Sequence, residues 1–229
     1  MLQRGDALEN RLAGLASPAS GSASVGRSGP APPPHFAYDA SKRVIDVAVA
    51  AALLALTLPV LALACLVIAV TTRESPLLAQ RRAGWLGREF TMLKLRTMRS
   101  SGEEDAAAGR QVLCKDRHDE RVTTAGRFLR RTSIDELPQL FNVLAGQMSL
   151  VGPRPGLPEE VAQYRPPWRR RLSVKPGLSG LWQVSGRSSV PAPRWMAMDR
   201  YYVARRSLAF DLAILARTVA AVLSMRGAW

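Results

Sequence analysis

The chain has 229 residues, room for one domain of ordinary size with appendages, and carries 32 Lys and Arg against 18 Asp and Glu, a formal charge of +14. That excess favours a polyanionic partner, whether nucleic acid, anionic lipid headgroups or a phosphorylated substrate, and composition alone does not choose among them. Two cysteines far apart in sequence, Cys65 and Cys114, argue against a disulfide framework or a metal cluster and for a reducing compartment.

Residues 1–36 are rich in Ala, Gly, Ser and Pro and end near "GPAPPPH". With too few large apolar side chains to form a core, they are expected to be a disordered tail, and they lack the continuous apolar run of a signal peptide. Residues 44–70, "VIDVAVAAALLALTLPVLALACLVIAV", carry no charge apart from Asp46 and are long enough to cross a bilayer as a helix. Pro59 interrupts the middle. Lys42 and Arg43 precede the run and Arg73, Arg81, Arg82, Lys94, Arg96 and Arg99 follow it, so the flanks show no inside–outside asymmetry. Two structures fit: a straight span kinked at proline, and a helix-break-helix that enters one leaflet and returns, with Thr57 helping to satisfy the freed backbone at Pro59.

Beyond residue 73 the chain reads as a domain that hugs the membrane. Residues 87–98, "GREFTMLKLRTM", alternate as a short strand with Lys94 and Arg96 on one face. A basic helix is expected over residues 125–131. The stretch that follows, "TSIDELPQLFNVLAGQMSLVGPRP", sets Asp135 and Glu136 just ahead of Pro138, which has no amide proton and would leave the Ile134 carbonyl without its helical partner. One register starts a helix at about Asp135, with the acids at its positive end and Leu137, Leu140, Phe141 and Leu144 on a buried face. A competing register caps the helix with Ser133 and Glu136 but places Pro138 a full turn inside. From this stretch alone, Asp135 is as well explained as a helix cap as it is as a reactive carboxylate.

The next loops could carry chemistry. Arg154 lies between Pro153 and Pro155, on backbone largely fixed before any ligand arrives, which suits a guanidinium that grips phosphate; a rigid turn with a solvated arginine fits the same residues. "VKPGLSGLWQVSGRSS" places Arg187 and three glycines around Trp182, where a ligand could approach the backbone closely or a tight turn could bury the indole. "YRPPWRRRLSVK" offers Trp168 with Arg169, Arg170 and Arg171, either beside anionic lipid or as a solvated charge run. At the end, Leu208, Leu212, Leu215, Val219 and Val222 form one helical stripe, for the core or for the lipid interface. No glycine-rich nucleotide loop and no internal repeat is present.

Taken in order, "RRAGWLGREFTMLKLRTM", "DERVTTAGRFLRRTSIDELPQLFNVLAGQMSLVGPRP", "VKPGLSGLWQVSGR" and "RYYVARRSLAFDLAILARTV" closely resemble the bacterial sugar transferase family, the monotopic polyprenyl-phosphate hexose-1-phosphate transferases, over about residues 40–225. The resemblance implies an α+β, mainly helical protein with a re-entrant helix-break-helix turning at Pro59 (residues 37–73) and a compact cytoplasmic catalytic domain with interfacial helices (residues 74–229). It implies that Asp135 is the nucleophile that attacks the β-phosphate of a UDP-sugar, expels UMP and holds the sugar phosphate as an acyl phosphate. Glu136 matches the partner acid, and Asp135 with Glu136 would hold Mg²⁺. Arg154, flanked by Pro153 and Pro155, would bind phosphate, Lys94 and Arg96 fall in a motif near the site, and Arg187 joins them as a substrate contact. The acceptor implied is undecaprenyl phosphate at the inner membrane, with an anionic bilayer as partner, no nucleic acid, and a homo-oligomer left open. Three positions depart from the family pattern: Gln147 stands where an acid is usual, Leu95 replaces an aromatic, and "RESPLLAQRRAG" is one residue short and lacks a glycine before Pro76. Two other functions fit the charge: a membrane-anchored nucleic-acid-binding protein, which has no use for the acid pair and has few aromatic platforms, and a noncatalytic scaffold, against which the intact "DELP" argues.

Overall fold

The structure, a computed structural model, describes residues 36–99, 119–186 and 190–224; Arg187, Cys114 and the expected disordered tail lie outside the described residues. Helix α1 spans Phe36–Thr72, 37 residues, and is the one helix among the described residues long and apolar enough to cross a membrane. It continues through Pro59, where the sequence predicts a break. Thr57 does not take up the carbonyl that proline frees; its hydroxyl donates to Leu53 O at 2.7 Å, the back-bonding that bends helices without ending them.

One stripe of α1 faces the rest of the protein. Asp46, Ala50, Leu61, Ala64 and Ile68 are buried, with Leu54 and Thr57 half-buried between them, at the three- and four-residue steps of a helix face. Ala50 enters the main core with Leu140, Val143, Leu150 and Ile214, whereas Leu61, Ala64 and Ile68 form a second cluster with Leu95 and Leu129. Leu54 and Leu137 touch both clusters. The opposite face is apolar and uncovered: Leu56 is 76% exposed, and Leu58, Leu63 and Leu66 are also exposed. A helix that shares two core clusters with the domain is part of its fold, so no packing boundary falls near residue 73.

Strands β1 (Leu77–Ala83) and β2 (Glu89–Leu95) form an antiparallel hairpin in which Gln80 faces Met92 and Ala83 faces Glu89. Its connection passes through left-handed backbone at Leu86 and Gly87. Helix α2 (Thr124–Thr132) matches the expected basic helix, its N-terminus capped by the Thr123 hydroxyl, which accepts from Gly126 N at 2.9 Å. After the short helix α3 (Gln139–Leu144), strand β3 (Ser149–Val151) pairs in parallel with β4 (Gly177–Ser179), and the short helices α4 (Pro158–Ala162) and α5 (Pro166–Arg169) lie between them. The two strands cross so closely that a Cβ at Gly177 would lie 2.0 Å from Gly152 N, so only glycine fits there.

Two long helices, α6 (Ala192–Arg205) and α7 (Leu208–Leu223), close the domain. The apolar stripe expected on α7 lies at the edge of the inward face: Leu215 packs against the core and Leu208 and Val222 are half-buried. Asp211 and Ile214 are buried, while Leu212 and Val219 point outward. The outward residues join the uncovered face of α1 in giving the molecule an apolar exterior. A chain lacking residues 1–72 is therefore expected to lose its cooperative thermal transition and to aggregate, as calorimetry and size-exclusion chromatography in detergent would show; a stable, monodisperse fragment would mean that α1 is a detachable anchor.

Candidate active site

Neither predicted register describes the acid pair. Ser133 ends α2 in the left-handed conformation, φ 59°, and residues Ile134–Glu136 form a single 3-10 turn. Pro138 then occupies the N-cap of α3, which begins only at Gln139. The tighter turn solves the problem that proline creates, because Leu137 N donates to Ile134 O at 3.2 Å, a step of three residues that needs nothing from Pro138. Asp135 is thus a turn residue and makes no capping bond for α3. Of the expected face, Leu140 is buried and Leu137 and Leu144 pack against the core, but Phe141 turns outward and Val143 is buried instead.

The turn aims both carboxylates at cations. Lys94, from β2, places Nζ 3.1 Å from Asp135 Oδ2 and 3.5 Å from Glu136 Oε1. The same Glu136 oxygen accepts from Arg154 Nη2 at 2.9 Å. Asp135 is only 4% exposed, so its charge depends on Lys94 rather than on water. Glu136 raises the Arg154 guanidinium above its ordinary value, against burial, which acts the other way.

Two further arginines join the site, and the sequence did not single them out for it. Arg82, on β1, donates to Gln80 Oε1 at 2.6 Å and to Pro155 O at 3.4 Å. Burial, and then the neighbouring Arg154, push it down to about 10, so it stays charged at neutral pH beside another cation. Arg130, on α2, donates to Thr97 Oγ1 at 2.9 Å; burial lowers its pKa while Asp135 opposes the shift. Four cations, Lys94, Arg82, Arg130 and Arg154, thus gather around two acids, a surplus suited to a phosphorylated ligand. Arg82 sits at the end of β1, next to the bridge from Ala83 to Gly156 that joins the hairpin to the Arg154 loop, a contact the sequence pattern does not record.

The Pro153–Arg154–Pro155 loop is held from behind. Pro153 O accepts from Gly177 N at 2.9 Å, both prolines are buried, and Arg154 O accepts from Arg171 Nη2 at 2.5 Å. Arg171 is neither lipid-facing nor solvated, the two placements its charge run allowed. It is 4% exposed, donates to the Tyr164 hydroxyl at 2.6 Å, pairs with Asp199 at 2.8 Å and lies against the Tyr164 and Trp195 rings. Arg96 reaches Glu74 at 3.1 Å and Ser75 O at 2.8 Å, bracing the exit of α1. Gln147 accepts from Asn142 Nδ2 at 2.7 Å, a bond that serves the α3–β2 contact. Pro59 belongs to α1 and Arg187 lies outside the described residues.

This arrangement can bring an anionic nucleophile against an anionic substrate, because a buried carboxylate sits beside fixed cations that can take phosphate oxygens. Comparison with known proteins identifies a family. A family described as bacterial sugar transferase matches residues 37–225. The exopolysaccharide production protein ExoY of Rhizobium meliloti is 38% identical over 199 residues, which cover 82% of this chain and 88% of that protein. A UDP-glucose:undecaprenyl-phosphate glucose-1-phosphate transferase of Caulobacter vibrioides is 44% identical over 206 residues, 86% of this chain and 75% of that one. An undecaprenyl-phosphate galactose phosphotransferase of Salmonella typhimurium is 41% identical over 162 residues, 65% of this chain but only 33% of its own length.

The buried pair behind the loop sets a pH dependence. Burial raises Asp199 from the ordinary carboxylate value to about 6, with Arg171 opposing. The folded protein therefore binds that proton more tightly than the unfolded chain, so this carboxyl favours folding most at low pH and its contribution falls as pH rises from about 4 through about 6. Relative to Asp199→Asn, wild-type stability should drop by an amount on the order of 3 kcal/mol across that window. Denaturant unfolding of both proteins at pH 4 to 7 would show it, and parallel curves would contradict it.

Proposed function

The chain belongs to the bacterial sugar transferase family, and from that premise we propose that it transfers a sugar 1-phosphate from a UDP-sugar to undecaprenyl phosphate, at the start of exopolysaccharide or related surface-glycan assembly. The observation that carries this reading is Asp135, a buried carboxylate held 3.1 Å from Lys94 and within a cluster that includes Arg154 and Arg82.

In the first step an Asp135 oxygen attacks the β-phosphorus, the bond from that phosphorus to the bridging oxygen breaks, and UMP leaves with the electron pair. In the second, a phosphate oxygen of undecaprenyl phosphate attacks the same phosphorus and Asp135 departs as carboxylate. Dividing the transfer through a covalent intermediate replaces one hard displacement by two easier ones. Lys94 offsets the repulsion between Asp135 and the incoming phosphate. Arg154 presents a planar, two-pronged donor to phosphate oxygens, and Glu136 holds that guanidinium aimed until the substrate competes for it. Arg82, beside Arg154, extends the grip to a second phosphate.

Mg²⁺ fits this reading. The described residues hold no cluster of three or more His, Cys, Asp or Glu, and Asp135 with Glu136 supplies two hard oxygen donors, the number this ion commonly takes from protein when substrate phosphates complete its shell. When bound, it would neutralise phosphate charge at those two carboxylates.

The membrane reading rests on α1. A straight span would carry one end of the helix across the bilayer, yet one domain holds both ends: Lys42, Arg43 and Asp46 near the start, Ala64 and Ile68 near the finish. Of the ten residues 51–60, only Leu54 and Thr57 are even half-buried and the other eight are exposed. We therefore read α1 as entering and leaving one leaflet, bent within a continuous helix at Pro59, with the outward residues of α7 in the same interface. This keeps the site on the cytoplasmic face of the inner membrane, level with a lipid phosphate, and the net charge of +14 favours an anionic bilayer.

In purified membranes the wild type is expected to release UMP from a matching UDP-sugar, Asp135→Asn to release none while remaining membrane-bound, and excess chelator to silence the wild type. Near-wild-type release by Asp135→Asn would remove Asp135 as nucleophile. Cysteines placed in the tail and in the β1–β2 hairpin should both be labelled only from the cytoplasmic side in intact and inverted vesicles; labelling on opposite sides would establish a span.

A further inference from the structure

Lys42 and Arg43 precede the apolar run and would ordinarily be read as lipid-facing charges that set topology. Their contacts lie inside the protein. Lys42 Nζ is 2.8 Å from Asp211 Oδ2, an oxygen that also accepts from the Tyr38 hydroxyl at 2.9 Å. Arg43 Nη1 donates to Val143 O at 2.6 Å and Nη2 to Leu144 O at 2.8 Å. Those two carbonyls end α3, where a helix carries a partial negative charge, and Val143 O accepts from Gly146 N at 3.0 Å as well. One turn further along α1, Asp46, 4% exposed, accepts from Leu150 N at 3.0 Å in β3.

The Arg43 and Asp46 contacts each fall on the far end of a segment that leads to the site. Helix α3 has six residues and starts three positions after Glu136, so a tilt at its C-terminus is passed to the acid turn through rigid helix. Leu150 lies four residues before Arg154, and the backbone between them is tied to β4 through Gly152 N to Ser179 O at 2.9 Å and Gly177 N to Pro153 O at 2.9 Å. The acids and the phosphate-gripping arginine come from different segments, and the first turns of α1 hold both.

Resting on the transferase reading above, we propose that Arg43 and Asp46 are positioning residues that lock the acid-bearing and arginine-bearing segments to the membrane helix, so that seating of α1 in the bilayer sets the geometry of the transfer site. The bond pattern explains the residue types. Two successive carbonyls at a helix end require a forked donor, which arginine has and lysine lacks, and a strand amide facing a helix requires a short acceptor. Neither side chain contacts the reacting groups, so neither is catalytic.

The test uses the full-length chain in vesicles, with the steady-state kinetics of UMP release, flotation and hydrogen exchange measured on each variant. Arg43→Met is expected to lower kcat at least about tenfold with KM for the UDP-sugar changed by less than about threefold, as misplacement of preassembled groups predicts. Arg43→Lys should recover part of the loss. Asp46→Asn, which keeps the acceptor oxygen, should stay well above Asp46→Ala. Exchange should quicken over residues 134–156 in Arg43→Met and Asp46→Ala and stay unchanged over 192–205. The proposal is overturned by wild-type kcat in membrane-bound Arg43→Met, by a loss that appears only in KM, or by exchange that quickens evenly along the chain. If Arg43→Met does not accumulate, Arg43→Lys and the Asp46 pair decide the matter by the same criteria. A wild type that releases no UMP from any UDP-sugar would defeat the transferase reading instead, and the exchange comparison would still judge the locking contacts.

Discussion

Two adjacent carboxylates, one of them buried, cannot both stay charged in a protein interior unless cations stand beside them, and Lys94 is shared between Asp135 and Glu136 for that purpose. The rest of the site follows from placing that ammonium. Lys94 comes from the end of β2, so the hairpin must hold its register against β1. The acid turn must sit over the strand, which α3 ensures by packing Leu140 and Val143 into the core and by bonding Asn142 to the β2 backbone at Thr91 and Leu93. Glu136, already engaged by Lys94, holds Arg154 at 2.9 Å. Removing one member leaves its neighbours as uncompensated charges in a poorly hydrated pocket, so the four residues act as a unit.

The backbone around this unit is unusually constrained. Pro138 makes the acid turn a 3-10 turn, and Pro153 and Pro155 leave Arg154 little freedom, while Arg171 fastens its carbonyl from the interior side. Preorganised donors of this kind need no reordering when a phosphate arrives, which is where an enzyme gains most from electrostatics. The buried Arg171–Asp199 pair lies one layer back and works through the Arg154 backbone. Its isolation from water explains why the Asp199 carboxyl is pushed up despite its partner.

The long apolar helix and the domain that carries the acid pair are one packed unit. The inward stripe of α1 completes two core clusters, and its outward face, with Leu212 and Val219 of α7, leaves apolar surface that only lipid or a partner could cover. The polar groups on the first turns of α1 bond to α3, β3 and α7. A helix serving as anchor alone would carry none of these contacts.

The sequence by itself determined the local chemistry: the apolar run with its proline, the strand bearing Lys94, the basic helix expected over residues 125–131 and found at 124–132, and an acid pair followed by an arginine locked between prolines. These are patterns of period, breaker and charge written within a dozen residues, and their order along the chain carried the family resemblance. Only the tertiary structure decided which charges meet. Arg96, two residues from Lys94 in sequence, braces the exit of α1, whereas Arg82, read as one more flanking charge, stands next to Arg154 because the end of β1 bridges to the Arg154 loop at Ala83 and Gly156. Arg171, in a run of three arginines that suited either anionic lipid or solvent, is buried, since only the fold brings Asp199 and Tyr164 to it from other elements. The apolar stripe of α7 was legible, but not the direction it faces, because a helical period records which residues share a side and not whether protein or lipid lies against that side.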